Sequence, residues 1–309
     1  MIDSFQQWAA RHGNKLQFIP IGRLQDIKTE LEIFSKTQEL NDFQKWIISD
    51  LYQFDLPAAG FTIKSILIIA IPHPFYANVE FTWHAKKYNS VSLVSSDFNQ
   101  TEKDLHDFLA AQNYHIIPAT NIPLKRLAVQ SGLAVYGRNN ITYVEGLGSL
   151  YSFASYFSDA PCENDVWMEV RMAERCTHCW ACFKNCPTGA IRKDRFIIDN
   201  ERCLSNLNES PGEFPAWLPE SVHHCLYDCL KCQIICPMDK AYLNQSMGPI
   251  QFSEDETELL LSGGPLSAFS PALKQKSKLL GLDPWLDNLP RNLKVLFDLS
   301  DLPLDASGV

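Results

Sequence analysis

Nine of the ten cysteines in this chain fall between Cys176 and Cys236. The first group reads Cys176-Thr-His-Cys179-Trp-Ala-Cys182-Phe-Lys-Asn-Cys186-Pro187. The second reads Cys229-Leu-Lys-Cys232-Gln-Ile-Ile-Cys236-Pro237. C-x2-C-x2-C-x3-C-P is the spacing with which bacterial ferredoxins hold 4Fe–4S clusters, and the second group repeats its last part. Closely spaced cysteines wrap a short loop around several irons, and the cysteine before the proline is carried away to the other cluster. Cluster one then takes Cys176, Cys179, Cys182 and Cys236. Cluster two takes Cys186, Cys229 and Cys232 and needs one more ligand, for which Cys203 and Cys225 are the candidates. Cys225 stands four residues before Cys229 where the repeat calls for three, so Cys203 is preferred. Each proline stops the helix after its crossing cysteine, because its φ is fixed and it has no N–H.

Zinc and disulfides are the simpler readings of paired cysteines. Zinc closes its shell with four ligands, and a C-x2-C-x2-C triple followed by C-P is not its usual spacing. Disulfide frameworks suit small secreted domains. This chain has 309 residues, and its opening Met-Ile-Asp-Ser-Phe-Gln-Gln-Trp has neither the basic nor the apolar region of a signal peptide. Two clusters on reduced thiolates imply the cytoplasm. Cys162 and Cys225 are left over, with inert packing as the default reading.

The composition bounds the partners. Apolar residues make up 46% of the chain, enough for a packed core, and no apolar run approaches the roughly 18 residues of a membrane span. Formal charge is −9 and the pI about 5.4. That balance disfavours a polyanion such as tRNA as partner.

The elements that must position the cysteines follow from periodicity. Residues 1–60 read as helical, with Leu24, Ile27, Leu31 and Phe34 at helical spacing. Asn41 or Asp42 caps a second helix bearing Phe43, Trp46, Ile47, Leu51 and Phe54 on one face, which Leu56-Pro57-Ala-Ala-Gly60 ends. Ser65 to Ile71 is a buried strand that stops at Pro72-His73-Pro74, a candidate pocket rim. Residues 75–100, with Phe75, Tyr76, Phe81, Trp83, His84 and Tyr88, show no clear period and read as a long loop or irregular arm. A helix from Thr101 to Tyr114 turns Leu105, Phe108 and Leu109 inward, and His115–Ile117 is a short strand.

Pro123 suits the first position of a helix capped by Thr120 or Asn121, and Gly132 suits its end. Ile141–Glu145 and Ser149–Phe157 read as strands joined through Gly146-Leu-Gly148. That pair of glycines lacks the third glycine and the following helix of a dinucleotide site. Neither a Walker loop nor a G-x-S-x-G elbow occurs. A polar insert, Asn206–Pro219, separates the cysteine groups. The tail holds a capping box from Ser253 to Glu256 before Leu259–Leu261, a break at Gly263-Gly264-Pro265, and short helices over Pro271–Leu280 and Arg291–Leu299.

Pro123-Leu-Lys-Arg-Leu-Ala128, Ser131-Gly-Leu-Ala-Val-Tyr-Gly-Arg-Asn139, Gly148-Ser149 and Ser158-Asp159-Ala-Pro161 precede the double cysteine motif. This order resembles the epoxyqueuosine reductase family, cobalamin-dependent iron–sulfur enzymes of tRNA queuosine maturation, over roughly residues 60–250, with a weak echo at Arg291-Asn292. The resemblance supports Cys203, which lies where the family has an isolated ligand cysteine. It implies an α+β fold: a nitroreductase-like cobalamin and substrate domain over 1–165, a ferredoxin-like double 4Fe–4S domain over 166–248, and a helical cover over 249–309. It places Tyr136, Arg138, Asn139, Ser149 and Tyr151 at the cobalamin. Where the family offers an aspartate as general acid, this chain has Thr120. Where it has tryptophan and lysine, this chain has Tyr136 and Arg138. The C-terminal helical repeats with which larger members hold tRNA have no counterpart here.

Three functions are therefore expected. The first is a cobalamin-dependent reductase that takes electrons from an external low-potential donor through two 4Fe–4S clusters and acts on a small molecule in place of tRNA. Tyr136 or Tyr143 would supply the proton. The second is a ferredoxin-like electron-transfer protein that reduces a partner such as a corrinoid protein. The third is true epoxyqueuosine reduction with a rearranged acid.

Overall fold

The structure, a computed structural model, describes residues 2–74, 76–243 and 246–300. Along the chain run α1 (Ile2–Arg11), β1 (Lys15–Pro20), α2 (Arg23–Thr37), α3 (Asp42–Trp46), β2 (Ser65–Pro72), β3 (Tyr76–Trp83), β4 (Lys86–Leu93), α4 (Phe98–Ala110), β5 (Ile116–Pro118), α5 (Leu124–Gln130), β6 (Ala134–Tyr136), β7 (Thr142–Val144) and β8 (Tyr151–Ser158). After them come α6 (Ala181–Asn185), α7 (Leu204–Glu209), α8 (Lys231–Ile234), β9 (Ser246–Phe252), α9 (Glu254–Leu261), α10 (Pro271–Leu280) and α11 (Leu289–Ser300). Helices and strands are thus interspersed in an α+β fold. None of the described helices is long and apolar enough to cross a membrane.

The chain forms two compact units. The first comprises residues 1–72, 96–137 and 141–177, the second residues 73–95, 138–140 and 178–309. The first unit is built on an antiparallel sheet of order β1-β2-β8-β5. β2 is central and β-branched, and its side chains alternate between two cores. Ile66, Ile68 and Ala70 pack with Leu24, Ile27 and Leu31 of α2 and Leu127 and Ala128 of α5. Leu67, Ile69 and Ile71 pack with Phe5 and Trp8 of α1 and Leu105 and Leu109 of α4. Helices therefore cover both faces, which is why β2 reads as an unbroken apolar run. β6 and β7 form a separate two-stranded ribbon.

The second unit carries a sheet of order β4-β3-β9, with β9 parallel to β3. Ala77, Val79 and Phe81 point from β3 into a core shared with Leu226, Phe252, Leu260, Leu273, Leu280, Leu293 and Phe297. The predicted capping box is present, with Ser253 and Glu256 bonded reciprocally. Ser270 caps α10, which ends at Gly281 in the left-handed region at φ 63°.

Several expectations are corrected. Residues 1–60 are interrupted by β1, and α3 is short. Asn41 caps it as expected, but the chain then widens into a π-type turn at Ile47–Leu51. Phe43 and Trp46 are exposed and stack on each other at 5.8 Å. Residues 76–93 form a β-hairpin, whose turn residues His84 and Ala85 both have positive φ, 49° and 60°. Phe75 lies outside the described residues. Pro123, not Thr120 or Asn121, stands at the N-cap of α5, and Asn121 is left-handed at φ 56°.

The compact units also cut the chain differently from boundaries at 165 and 248. The hairpin, the cluster segment and the C-terminal helices belong together, because β9 pairs with β3 and one apolar core draws on all three.

Candidate metal centre

In the second unit, α6 carries Cys182, and Cys186 is its C-cap. α8 carries Cys232 and starts at Leu230, which is left-handed at φ 57° and turns the chain sharply after Cys229. The Asn185 side chain donates to the Lys231 carbonyl at 2.7 Å, tying the two cysteine helices together. The N–H of Cys236 bonds the Gln233 carbonyl at 2.9 Å, just before the second proline. Cys176 belongs to the first unit, in the short 3-10 turn Glu174–Thr177.

Cys203 stands at the N-cap of α7. Burial raises its thiol pKa, and the nearby backbone of Asn206 and Ser205 offsets part of that rise. Its electrostatic neighbours include Cys186. Cys229 has Cys203 and Cys186 as neighbours, and Cys232 has Cys229, Cys203 and Cys182. Cys186, Cys203, Cys229 and Cys232 thus share one electrostatic neighbourhood.

Burial pushes the thiols up from the ordinary cysteine range, that of Cys229 to about 12 and that of Cys232 further. A bare thiolate is disfavoured in such a place, and bound iron supplies the compensating positive charge. Among the described residues, no three His, Cys, Asp or Glu side chains close up as they would round one metal ion.

Cys225 is engaged differently. It is 2% exposed, and its thiol donates to the Cys229 carbonyl at 3.4 Å. Burial raises its pKa well above the ordinary value, which keeps it a thiol. Cys162 in the first unit donates to the Asn164 carbonyl at 3.2 Å.

His224, next to Cys225, faces two carbonyls, Val222 at 2.8 Å from Nδ1 and Cys229 at 2.6 Å from Nε2. Two acceptors favour the doubly protonated ring, while burial, the larger effect, pulls its pKa down. Sequence reading missed two carboxyls near here. Burial first, and then mutual repulsion with Asp228, pushes Glu209 up to about 7, and burial alone pushes Asp228 to about 7. No motif marks them, since their perturbation comes from tertiary burial.

Residues 138–140 leave the first unit to join the second. The Arg138 guanidinium lies 3.5 Å over the Trp180 ring, and its Nε donates to the Cys179 carbonyl at 3.0 Å. Asn139 is 3% exposed, and its side chain hydrogen-bonds Cys232. Two of the five residues expected at a cobalamin are therefore engaged with the cysteine loops.

The other sequence candidates lie in the first unit. Tyr136 pairs across the ribbon with Thr142, and Tyr143 with Val135. The two tyrosines therefore project from opposite faces of β6–β7 and do not form one site. Tyr136 is buried, and burial raises its hydroxyl pKa, which makes it a weaker acid. Ser149 is buried, whereas Tyr151 is half-buried and donates to the Thr142 hydroxyl at 2.7 Å. Cavities of about 480 and 550 Å³ in this unit are lined by other residues, among them Lys28 and Tyr52 in one and Arg126 and Trp167 in the other. Thr120 is exposed between β5 and α5. In the second unit, His73 donates from Nδ1 to the Val94 carbonyl at 2.8 Å, and burial lowers its pKa, a packing role.

Residues 175–239 match the 4Fe-4S double cluster binding domain. An epoxyqueuosine reductase of Francisella cf. novicida is 25% identical over 165 residues, 53% of this chain and 44% of that protein. One of Pseudomonas aeruginosa is 32% identical over 138 residues, 44% of this chain and 37% of that protein. The matched stretch thus spans less than half the length of these relatives. A crystal structure of epoxyqueuosine reductase with a tRNA-Tyr epoxyqueuosine-modified tRNA stem loop shares the fold, with a TM-score of 0.62 at 17% identity over 96% of this chain and 80% of that one. About half of this chain is thus similar in sequence to epoxyqueuosine reductases, nearly all of it is similar to them in fold, and residues 175–239 match a double 4Fe–4S cluster-binding domain.

Proposed function

We propose that the protein is an iron–sulfur reductase of the epoxyqueuosine reductase kind, which takes single electrons from an external low-potential donor through two 4Fe–4S clusters to a cobalamin. The observation that carries this reading is the match of residues 175–239, which hold all eight assigned cysteines, to the 4Fe-4S double cluster binding domain. Cys186, Cys203, Cys229 and Cys232 are assigned to cluster two. Cys176, Cys179, Cys182 and Cys236 are assigned to cluster one on spacing and on the domain match.

When bound, cobalamin supplies a low-potential cobalt able to reduce substrates that a nicotinamide cannot. This part of the reading rests on the relatives. Of the residues assigned to it, Tyr151 keeps exposed surface, while Tyr136, Asn139 and Ser149 are buried and Arg138 is stacked on Trp180. The chain's own contribution is to hold the cysteine loops rigid, exclude water from the sulfurs and keep a proton on nearby carboxyls. Glu209 and Asp228, both raised to about 7, are about half protonated at neutral pH.

The substrate proposed first is a small molecule, because Thr120 carries no acid and the chain is acidic at −9. Epoxyqueuosine in tRNA is the second reading, favoured by the likeness to a structure solved with such a stem loop. The deciding experiment is anaerobic. Protein with both clusters reconstituted is mixed with cobalamin, passed over a sizing column, and assayed with reduced donor and epoxyqueuosine-containing tRNA. Stoichiometric cobalamin without turnover supports the first reading, and turnover supports the second. Failure to retain cobalamin, with fast reduction of an added corrinoid protein, would point to an electron-transfer protein.

A further inference from the structure

The second cysteine group leaves apolar surface in water. Between Cys232 and Cys236 stand Ile234 and Ile235, 40% and 46% exposed. Isoleucine is among the residues most often fully buried, and here two in a row are open beside assigned ligand cysteines. Cations accompany them. Lys231 lies one helical turn before Ile234 on α8. Lys184 is exposed on α6, next to Asn185, whose side chain ties α6 to the Lys231 carbonyl at 2.7 Å. Lys240 is exposed just past the turn that the Asp239 N–H closes on the Cys236 carbonyl at 3.0 Å. Among the described residues, none of these three lysines has an ion-pair partner. The cysteine segments themselves offer no exposed acid. There is no Asp or Glu from His178 to Lys193, and the one acid between Cys229 and Lys240 is Asp239, which is fully buried. This cationic, apolar face belongs to a chain of formal charge −9.

We propose that this α6–α8 face is where the electron donor docks, and that the donor is an acidic one-electron carrier protein. This rests on the reductase reading above. Lys184, Lys231 and Lys240 complement the carboxylates of such a carrier and steer its approach. Ile234 and Ile235 exclude water at the centre of a small contact, the size usual for transient electron-transfer pairs. A nucleic acid would pair with the lysines but not with the isoleucines, because its backbone presents phosphates and sugars. One electron leaves the reduced carrier and enters an oxidised cluster held by Cys232 or Cys236. The carrier is oxidised by one electron, the cluster is reduced by one, and no bond or proton moves.

The test is anaerobic stopped-flow reduction of the full chain with both clusters in place. An acidic flavodoxin in its hydroquinone form is the protein donor, and methyl viologen radical is the small one. Flavodoxin should reduce the parent faster at low salt than at high salt. The triple variant Lys184→Glu, Lys231→Glu, Lys240→Glu should be reduced by flavodoxin at least about tenfold more slowly at low salt, without that salt dependence. The double variant Ile234→Ser, Ile235→Ser should be slowed at every salt concentration. Methyl viologen should reduce both variants no more slowly than the parent. Parent-like flavodoxin rates in both variants, with iron and sulfide complete, would overturn the docking face and leave the reductase reading standing. If the lysine variant keeps its flavodoxin rate but no longer retains tRNA on a sizing column, the face belongs to nucleic acid and the proposal falls. It falls equally if the parent is a dimer that the isoleucine variant turns into a monomer. If the variants lose iron, the decision passes to the parent cross-linked to flavodoxin with a carbodiimide and mapped by mass spectrometry. Links at Lys184, Lys231 or Lys240 support the face, and links only elsewhere overturn it. A parent without iron and sulfide would overturn the reductase reading itself, and the donor face with it.

Discussion

The guanidinium of Arg138 lies flat over the indole of Trp180, 3.5 Å from its centre, while its Nε holds the carbonyl of Cys179. Within the second unit, Arg138 thereby braces the cysteine loop. A cation over an indole contributes about 0.5–2 kcal/mol, and a hydrogen bond to a carbonyl about 1 kcal/mol. Replacing Arg138 by Ala is therefore expected to cost about 1–3 kcal/mol in anaerobic denaturant unfolding. Lysine should restore only part of this, because it lacks the planar fork. Unchanged stability in the alanine variant would show that the contact contributes nothing.

Cys203 and Cys225 are separated by their neighbours. Cys203 has Cys186 as an electrostatic neighbour, whereas Cys225 donates its thiol to the Cys229 carbonyl. Two cubes hold about eight irons per chain. Cys225→Ala should keep about that content, and Cys203→Ala should lose up to half of it. Iron and sulfide analysis of both variants decides the point, and the reverse pattern would move the ligand to Cys225.

Glu209 gives a pH signature. Its folded pKa is raised to about 7, by burial and then by Asp228, from an ordinary value of 4.5. Below the ordinary value both states are protonated and the group contributes nothing. As pH rises from about 4.5 toward 7, the unfolded chain releases the proton first and native stability falls. Above about 7 the loss is complete, on the order of 1–3 kcal/mol. Glu209→Gln should therefore be more stable than the parent at pH 8 and equal to it near pH 4.5, as read from anaerobic unfolding. A difference independent of pH would refute the perturbed carboxyl.

Tyr136 and Tyr143 face opposite sides of the β6–β7 ribbon, so one proton-donor role has room for one of them at most. In a turnover assay with cobalamin-loaded protein, at most one of Tyr136→Phe and Tyr143→Phe should slow the chemical step by the roughly 10²–10⁴-fold typical of general-acid loss. Equal large losses in both, with stability intact, would contradict this geometry.

The cysteine spacing made the cluster domain legible, because the ligand pattern is local in sequence and survives any detail of packing. β2 was legible for a similar reason: a strand covered on both faces must be apolar throughout. The hairpin β3–β4 was not. Its inward residues Ala77, Val79 and Phe81 do alternate, but Tyr76 puts an aromatic at one of the other positions, and the His84-Ala85 turn lacks the usual glycine. β9 was missed because its pairing with β3 is parallel and separated by a long stretch of chain, and Pro249 lies within it. β1 was lost among helices because six residues between two helical stretches leave little room for a period to show. Arg138 could be picked out but its contacts with Trp180 and the Cys179 carbonyl could not, since both partners lie about forty residues on in the chain.

The central claim is that eight of the cysteines hold two 4Fe–4S clusters. Metal and acid-labile sulfide analysis of anaerobically purified protein, with resonance spectra of the reduced form, tests it most directly. The account predicts about eight iron and eight sulfide per chain and two magnetically distinct reduced clusters. Colourless protein carrying zinc and no sulfide would contradict it.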